Sequence, residues 1–573
     1  MLLDASCVYC CEFITLATNH NQIEKLIDKK LDFFIDDFAP FKEFNKIVTG
    51  LDVPLATGER INIDLERGIN WEQTFEGQPA SSRMWLLSLY ALGQLLASYK
   101  KTNDPVLLQA ALSSLRSYFT YADGDQVRES LGKIPSADHA AATRVKVLIK
   151  FLQVCGHQDL NLSEKIAEEI SYWRDWITDP GHYSMCNHGL MGDVALLHVG
   201  IQFEPVGGQT TVEFALDRIL KLAEATFDAD GLCNENTIGY HRYNLHLYKS
   251  IVQFIEHYGI EQGDVTTRLR EIIALAELAL RQVIWQDATV PPIGDSPKYT
   301  VNLAPINTSK CYFQSGFCVV KTEDVYLSLI CGSRTETHKQ VDDTSITLRY
   351  KGTEILTDAG SYLYNRSNPH RRCVESSYGH SGIFPAEGDG LLRKEFLRMF
   401  NPVSGGIESF DQNASGTRIQ AIFRLANGAV TIERNVYLSD ADEVAVVDLV
   451  KLHDPSKYRK ELFVQRFLLG PELECRRDGE KTVFMEGGQV KCSIFQLADI
   501  DSSSVYKGEE TNKVRGWQSY STGVINPTYG VDFYQKLRAG KLAFASVISL
   551  SGAASYDACS DAVRDFVQHE LSK

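Results

Sequence analysis

The chain has 573 residues, 44% of them hydrophobic and 23% charged, with a net charge of −16. That length exceeds the ~250–300 residues at which a single core stops growing, so two or more domains are expected. The acidic balance excludes broad nucleic-acid binding, which needs clustered Lys and Arg, and no apolar run reaches the ~18 residues of a membrane span.

The amino terminus carries Asp4 and Glu12 and lacks the basic start, long apolar middle and small-residue cleavage site of a secretory signal. Taken as it stands, it leads to the expectation of a cytoplasmic protein; a signal already removed would instead make it periplasmic or secreted. Thirteen cysteines, an odd number scattered through a long chain, suit a reducing compartment. Cys7, Cys10 and Cys11 cluster as metal ligands do, but no second Cys or His pair at ligand spacing follows, which argues against a metal there.

Up to about residue 300, apolar residues recur at three and four, and residues 84–96, 140–152, 212–225 and 268–283 are expected to be helices. Thr102-Asn103-Asp104-Pro105, Ser136-Ala137-Asp138 and Asp179-Pro180-Gly181 supply turn and cap signals at their joints. Successive helices with short connections imply hairpins arranged as a bundle or toroid. Beyond Ile293-Gly294-Asp295-Ser296-Pro297 the pattern turns strand-like: residues 325–330, 345–350, 430–437 and 461–467 are rich in β-branched and aromatic side chains. Asn427-Gly428 reads as a hairpin turn. Helices first and strands second predict a helical domain over residues 1–300 and an antiparallel β-sheet domain over 301–573, not a wound α/β sheet.

Three regions carry chemistry. In the strand half, residues 336–345 (Glu-Thr-His-Lys-Gln-Val-Asp-Asp-Thr-Ser), Asp358 and His380 gather imidazole, carboxylate and amide groups, which are costly in a sheet unless paired or put to work. A purely structural hydrogen-bond network is the plain alternative. Arg334, Lys339, Arg366, His370, Arg371 and Arg372 make this region locally positive, which would steer an anionic ligand unless they form only a solvated loop. In the helical half, Asn187-His188 opens an apolar helix, where Asn could be only a cap. Further on, Asn234-Glu235-Asn236 leads into Gly239-Tyr240-His241-Arg242-Tyr243, whose two tyrosines stand three apart and could be mere packing.

In order along the chain, Asn-His-Gly, Gly-Tyr-x-x-Tyr, Pro-x-Ile-Gly-Asp-Ser, His-x-x-x-Asp-Asp-x-Ser and Asp-x-Gly-x-x-x-Tyr resemble the heparinase II/III-like family of polysaccharide lyases. The likeness starts near Arg83-Met84-Trp85, passes Asp138-His139 and Arg144, and reaches Gln465-Arg466-Phe467. It implies an N-terminal incomplete (α/α) toroid followed by a C-terminal antiparallel β-sandwich domain. It also implies β-elimination on a uronic-acid-containing glycan, glycosaminoglycan or alginate-like. By the resemblance Asn187 and His188 would neutralise the sugar carboxylate, Tyr243 and His338 would serve as acid and base, and Tyr364 would assist. Tyr240, Arg242, Glu235, Arg334, Lys339 and Arg371 are expected to contact substrate. Gln340, Asp358 and His380 fall where relatives hold a metal, often zinc. Gln340 replaces a histidine there, so a metal-free network of the same residues is the competing expectation.

No cofactor is required by this chemistry, and a structural zinc or calcium ion is left open. The expected partner is an acidic polysaccharide or oligosaccharide, with no nucleic acid and no membrane span, and the oligomeric state, a homodimer included, is open. Two other functions compete: a non-catalytic glycan-binding or assembly protein that keeps the cleft, and a glycoside hydrolase using Glu235 with Asp342 or Asp343.

Overall fold

The computed structural model describes residues 33–573 apart from 36, 78, 156–158, 205–207, 261–262, 479–480, 551 and 554. Cys7, Cys10 and Cys11 lie outside the described residues. The chain divides into two compact units, Met1–Leu222 with Lys249–Arg268, and Ala223–Tyr248 with Leu269–Lys573. The division falls inside the helix Ile238–His257.

The first unit opens with a four-stranded antiparallel sheet, β1 (Asn45–Ile47), β2 (Gly50–Pro54), β3 (Arg60–Asp64) and β4 (Gly68–Ile69), paired in sequence order. Helices follow: Pro79–Leu87, Tyr90–Thr102, Pro105–Tyr121, Asp125–Leu131, Ala137–Cys155, Leu160–Thr178, Asn187–His198 and Gly208–Thr226. The run 84–96, one helix by periodicity, is two. Leu89 takes φ 62° between them and is fully buried; its packing outweighs the ~1–2 kcal/mol that a left-handed L-residue costs. Asp104 and Asp159 cap the third and sixth of these helices through Val106 N and Leu162 N. Ala137–Cys155 is buried along most of its length. Its Arg144 donates to Leu87 O at 2.7 and 3.1 Å and stacks 4.1 Å from the Trp173 ring centroid, which offsets the cost of an internal guanidinium.

The second unit holds the start of Ile238–His257, most of the helix Gly263–Val283 and the large sheets. After the short pair β5 (Thr289–Val290) and β6 (Tyr299–Thr300) comes a five-stranded antiparallel sheet. Its strands β7 (Lys310–Tyr312), β8 (Phe317–Lys321), β9 (Val325–Ile330), β10 (Ser345–Tyr350) and β11 (Thr353–Leu356) lie in sequence order. An eight-stranded sheet is built on four long hairpin-linked strands, β13 (Ser404–Asn413), β14 (Gly416–Leu425), β15 (Val430–Ser439) and β16 (Glu443–Leu452). Asn427, at φ 54°, makes the β14–β15 turn. The strand β12 (Ile383–Pro385) pairs with β17 (Leu462–Leu468), which starts a further four-stranded sheet. These sheets share one apolar core, including Val320, Leu327, Ile346, Ile419, Val436, Val446, Phe467 and Phe544.

Ion pairs run through that core. Arg434 binds Asp448 through Nε and Nη2, both at 2.7 Å, and donates Nη1 to Thr344 O and Ser381 O. Arg466 binds Asp532 and Asp389. The bonds from Arg434 fix the two stretches that flank the polar cluster.

Candidate active site

In the second unit, residues 234–244 and the turn 335–338 build one polar cluster. Asn236, at φ 59°, donates Nδ2 to Thr335 O and Thr337 O, both at 2.9 Å, and Thr335 Oγ1 returns a bond to Asn234 O at 2.6 Å. They pin a turn on which His338 sits at φ 55°, a backbone disfavoured by its β-carbon. His338 Nδ1 lies 3.1 Å from Glu235 Oε2, and Glu235 Oε1 accepts from Asn244 Nδ2 at 2.8 Å. The two atoms sit at ion-pair distance without hydrogen-bond geometry, and neither has a hydrogen-bond partner among the described residues. The imidazole stacks on Tyr240 with centroids 3.8 Å apart and 18° between the planes.

Tyr240 and Tyr243 stand one turn apart on Ile238–His257, their rings edge-on at 6.3 Å. The Tyr240 hydroxyl meets that of half-exposed Tyr364 at 3.0 Å. Burial, then the Tyr364 hydroxyl, push the Tyr240 phenol above its usual range, so it stays protonated. Arg242 is exposed, its guanidinium 5.4 Å from the Tyr299 ring centroid. Arg334 is also exposed and donates to Gln314.

Two cations expected at the substrate point inward. Arg371 is 1% exposed and holds Asp295 through two bonds, at 2.8 and 3.0 Å, together with Glu375. Lys339 is buried 2.7 Å from Asp342 and 3.3 Å from Asp343. An internal guanidinium or ammonium must be paired, and the pairing carboxylate of Arg371 lies 76 residues away, out of reach of a local charge count. Glu235, likewise expected on substrate, is buried against His338.

The expected metal position is occupied by contacts among its own residues. His380 Nδ1 lies 2.9 Å from Asp358 Oδ2, and Gln340 Nε2 donates to Asp295 Oδ1 at 3.0 Å. The Asp358 carboxylate raises the His380 imidazole against the effect of burial. His380 Nε2 and Gln340 Oε1 have no hydrogen-bond partner among the described residues. One nitrogen and one amide oxygen are a poor set for zinc, which takes nitrogen, thiolate and carboxylate ligands in fours. Among the described residues no three His, Cys, Asp or Glu side chains gather as metal ligands. The donor set does not fit a zinc centre.

In the first unit, Asn187 is the first residue of its helix, and Cys186, not Asn187, holds the cap position. His188 Nδ1 lies 3.1 Å from Asp138 Oδ1, whose carboxylate also accepts Ser184 Oγ at 2.7 Å and His139 N at 2.8 Å. Burial opposes ionisation of Asp138, but hydrogen bonds from His188 and Ser184 hold it down to about 2. His139 packs edge-on to Trp85 at 5.0 Å and 5.5 Å from the His188 ring; burial keeps it neutral, down to about 4. His188 thus pairs with Asp138, with Asn187 beside it in the first turn of the helix, while Tyr240, Tyr243, His338 and Tyr364 belong to the other unit. Sequence reading missed Asn244, Glu375 and the clamp by Asn236. Only a polar residue on the otherwise apolar stripe of a helix could have marked Asn244.

Residues 307–540 match the family described as Heparinase II/III-like, C-terminal. Among solved structures the chain is similar to one titled Crystal Structure of Heparinase III, at 14% identity and a TM-score of 0.68, over 85% of this chain and 80% of that one. It is also similar to heparan sulfate lyase HepC from Pedobacter heparinus, at 14% identity and a TM-score of 0.62, over 92% and 87%. A search of curated proteins finds no match. The chain therefore carries a heparinase II/III-like C-terminal region, and its fold is the expected one, a helical toroid followed by antiparallel sheets.

Proposed function

We propose that this protein is a polysaccharide lyase that cleaves a uronic-acid-containing glycan by β-elimination. Asn187, with His188 held by Asp138, donates to the uronate carboxylate and acidifies the C5 hydrogen. One of Tyr243 and His338 removes that proton, and the electron pair forms the C4–C5 double bond as the C4–O bond breaks. The other protonates the departing C4 oxygen. Tyr364 steadies the phenol pair through Tyr240.

The observation that carries the reading is the Glu235–His338–Tyr240 constellation, an imidazole 3.1 Å from a buried carboxylate with its ring stacked on a phenol, His338 itself lying in the span that matches the heparinase II/III-like family. A hydrolase would need two carboxylates open to substrate. Glu235, Asp342 and Asp343 are all buried and engaged with His338 or Lys339. The names of similar solved structures make a glycosaminoglycan the first substrate class to try. Incubation with a panel of uronate polysaccharides, with and without chelator, should produce ultraviolet absorbance of an unsaturated uronide. New reducing ends without that absorbance would mean hydrolysis, and intact polymer bound to the protein would mean a binder.

A further inference from the structure

A cavity of about 280 Å³ on the second unit is walled on one side by residues 457–460, Lys-Tyr-Arg-Lys. Three cations in four residues are an unusual concentration in a chain of net charge −16. Lys457 reaches Asp454 at 3.4 Å, with both side chains well exposed, and the Lys460 ammonium lies 4.6 Å over the Phe400 ring. Arg459 is exposed. The charge of Glu387 reaches Tyr458. Tyr458 is 6% exposed, and its hydroxyl has no hydrogen-bond partner among the described residues.

The facing wall is neutral and partly apolar. Met399 is 47% exposed there, and Asn401 Nδ2 donates to Asn427 Oδ1 at 2.7 Å, both residues in left-handed conformation. A bare anion would use only the cations and an apolar ligand only the thioether and the ring. A sugar ring bearing sulfate or carboxylate uses all of them, and the volume, just below the range of drug-sized sites, suits about one such ring.

We propose that this cavity is a second saccharide-binding site, taking one acidic pyranose unit of the same class of glycan; the proposal rests on the acidic-glycan reading above. The helix Arg393–Phe400 links the two places. Its first residue holds Glu336 and Asp343 beside the His338 turn, and its last lines the cavity, about 12 Å away along eight residues.

The test uses full-length protein carrying His338→Ala, to prevent turnover, with and without Lys457→Ala/Arg459→Ala. Each is titrated calorimetrically with a sulfated uronate tetrasaccharide, its desulfated counterpart and inorganic sulfate. Two binding events are expected for the sulfated tetrasaccharide, one of which disappears in the pocket variant. Tyr458→Phe, which keeps the fold, should weaken the same event about two- to tenfold, the usual worth of one hydrogen bond. Unchanged stoichiometry in the pocket variant would overturn the site, and so would inorganic sulfate binding it as tightly as the tetrasaccharide. In the active enzyme, the pocket variant should raise KM for long polymer about five- to tenfold at unchanged kcat. Binding lost from the pocket in a protein that cleaves no polymer would refute the lyase reading and keep the site. Cleavage with pocket-independent binding and KM would do the reverse.

Discussion

At His338 the partner matters as much as the residue. Glu235 Oε2 lies 3.1 Å from Nδ1, and Asn244 holds Glu235 through its other oxygen. Glu235→Gln would keep the side-chain shape and the Asn244 bond but remove the negative charge 3.1 Å from Nδ1. On the lyase reading kcat should fall about 10²–10⁴-fold, the usual worth of a placed acid or base. Initial-rate absorbance assays check this, and wild-type kcat would sink the orienting role. His338→Ala and Tyr243→Phe should each abolish unsaturated product while leaving the melting temperature close to wild type. Near-normal turnover in either would remove that residue from the acid–base pair.

At the scale of elements, short pieces hold the cluster. The helix Pro369–Glu375 is capped by Asn368, whose Oδ1 accepts His370 N at 2.9 Å and Arg371 N at 3.3 Å, and it carries both Arg371 and Glu375. Asn368→Ala should cost about 1 kcal/mol in chemical denaturation, and an unchanged midpoint would show that the Asp295 contacts alone hold the helix. Such devices explain what the sequence made legible. Helices at 140–152 and 268–283 and the hairpin at Asn427 follow from local periodicity and turn chemistry, and the structure has them. The break at Leu89 does not, because it is imposed by burial. His338, Tyr240 and Glu235 could be nominated from motif order, but their stacking and pairing depend on left-handed turns at Asn236 and His338 that no propensity announces. The Arg371–Asp295 pair was hidden for the same reason, its partners being 76 residues apart, whereas Asp342 and Asp343 stand three and four residues from Lys339, and Glu375 four from Arg371, open to a local reading.

For the molecule as a whole, stability rests on charges removed from water. Arg434→Met would leave Asp448 buried with Gln465 as its one side-chain partner among the described residues, and should destabilise by about 3–5 kcal/mol. A loss under about 1 kcal/mol in urea denaturation would mean that the pair is dispensable. Acid should act through histidine. Burial depresses His139 and His241 to about 4 and His198 to about 3, while their unfolded value is near ~6.5. Between those values the unfolded chain binds more protons at these rings, so their contribution to stability is full above pH ~6.5 and drains away as pH falls toward 4. His380, raised by Asp358, works in the opposite sense, and so do the buried carboxyls of Asp193, pushed up to about 7, and Asp358. Asp138, held to about 2, loses its contribution only below pH ~4. Melting temperature should therefore fall less from pH 7 to pH 5 in His198→Gln than in the wild type, and equal pH slopes would contradict the neutral burial of that ring.

Because the second unit borrows Ala223–Tyr248 from within the first unit's span of sequence, no single cut yields it whole. A gene fragment beginning near residue 300 would encode the sheets but omit Glu235 and Asn236, the anchors of the His338 turn. Anyone dissecting this protein by truncation should expect a recombinant sheet fragment with that turn unmoored, and should supply the missing stretch as a separate peptide to restore it.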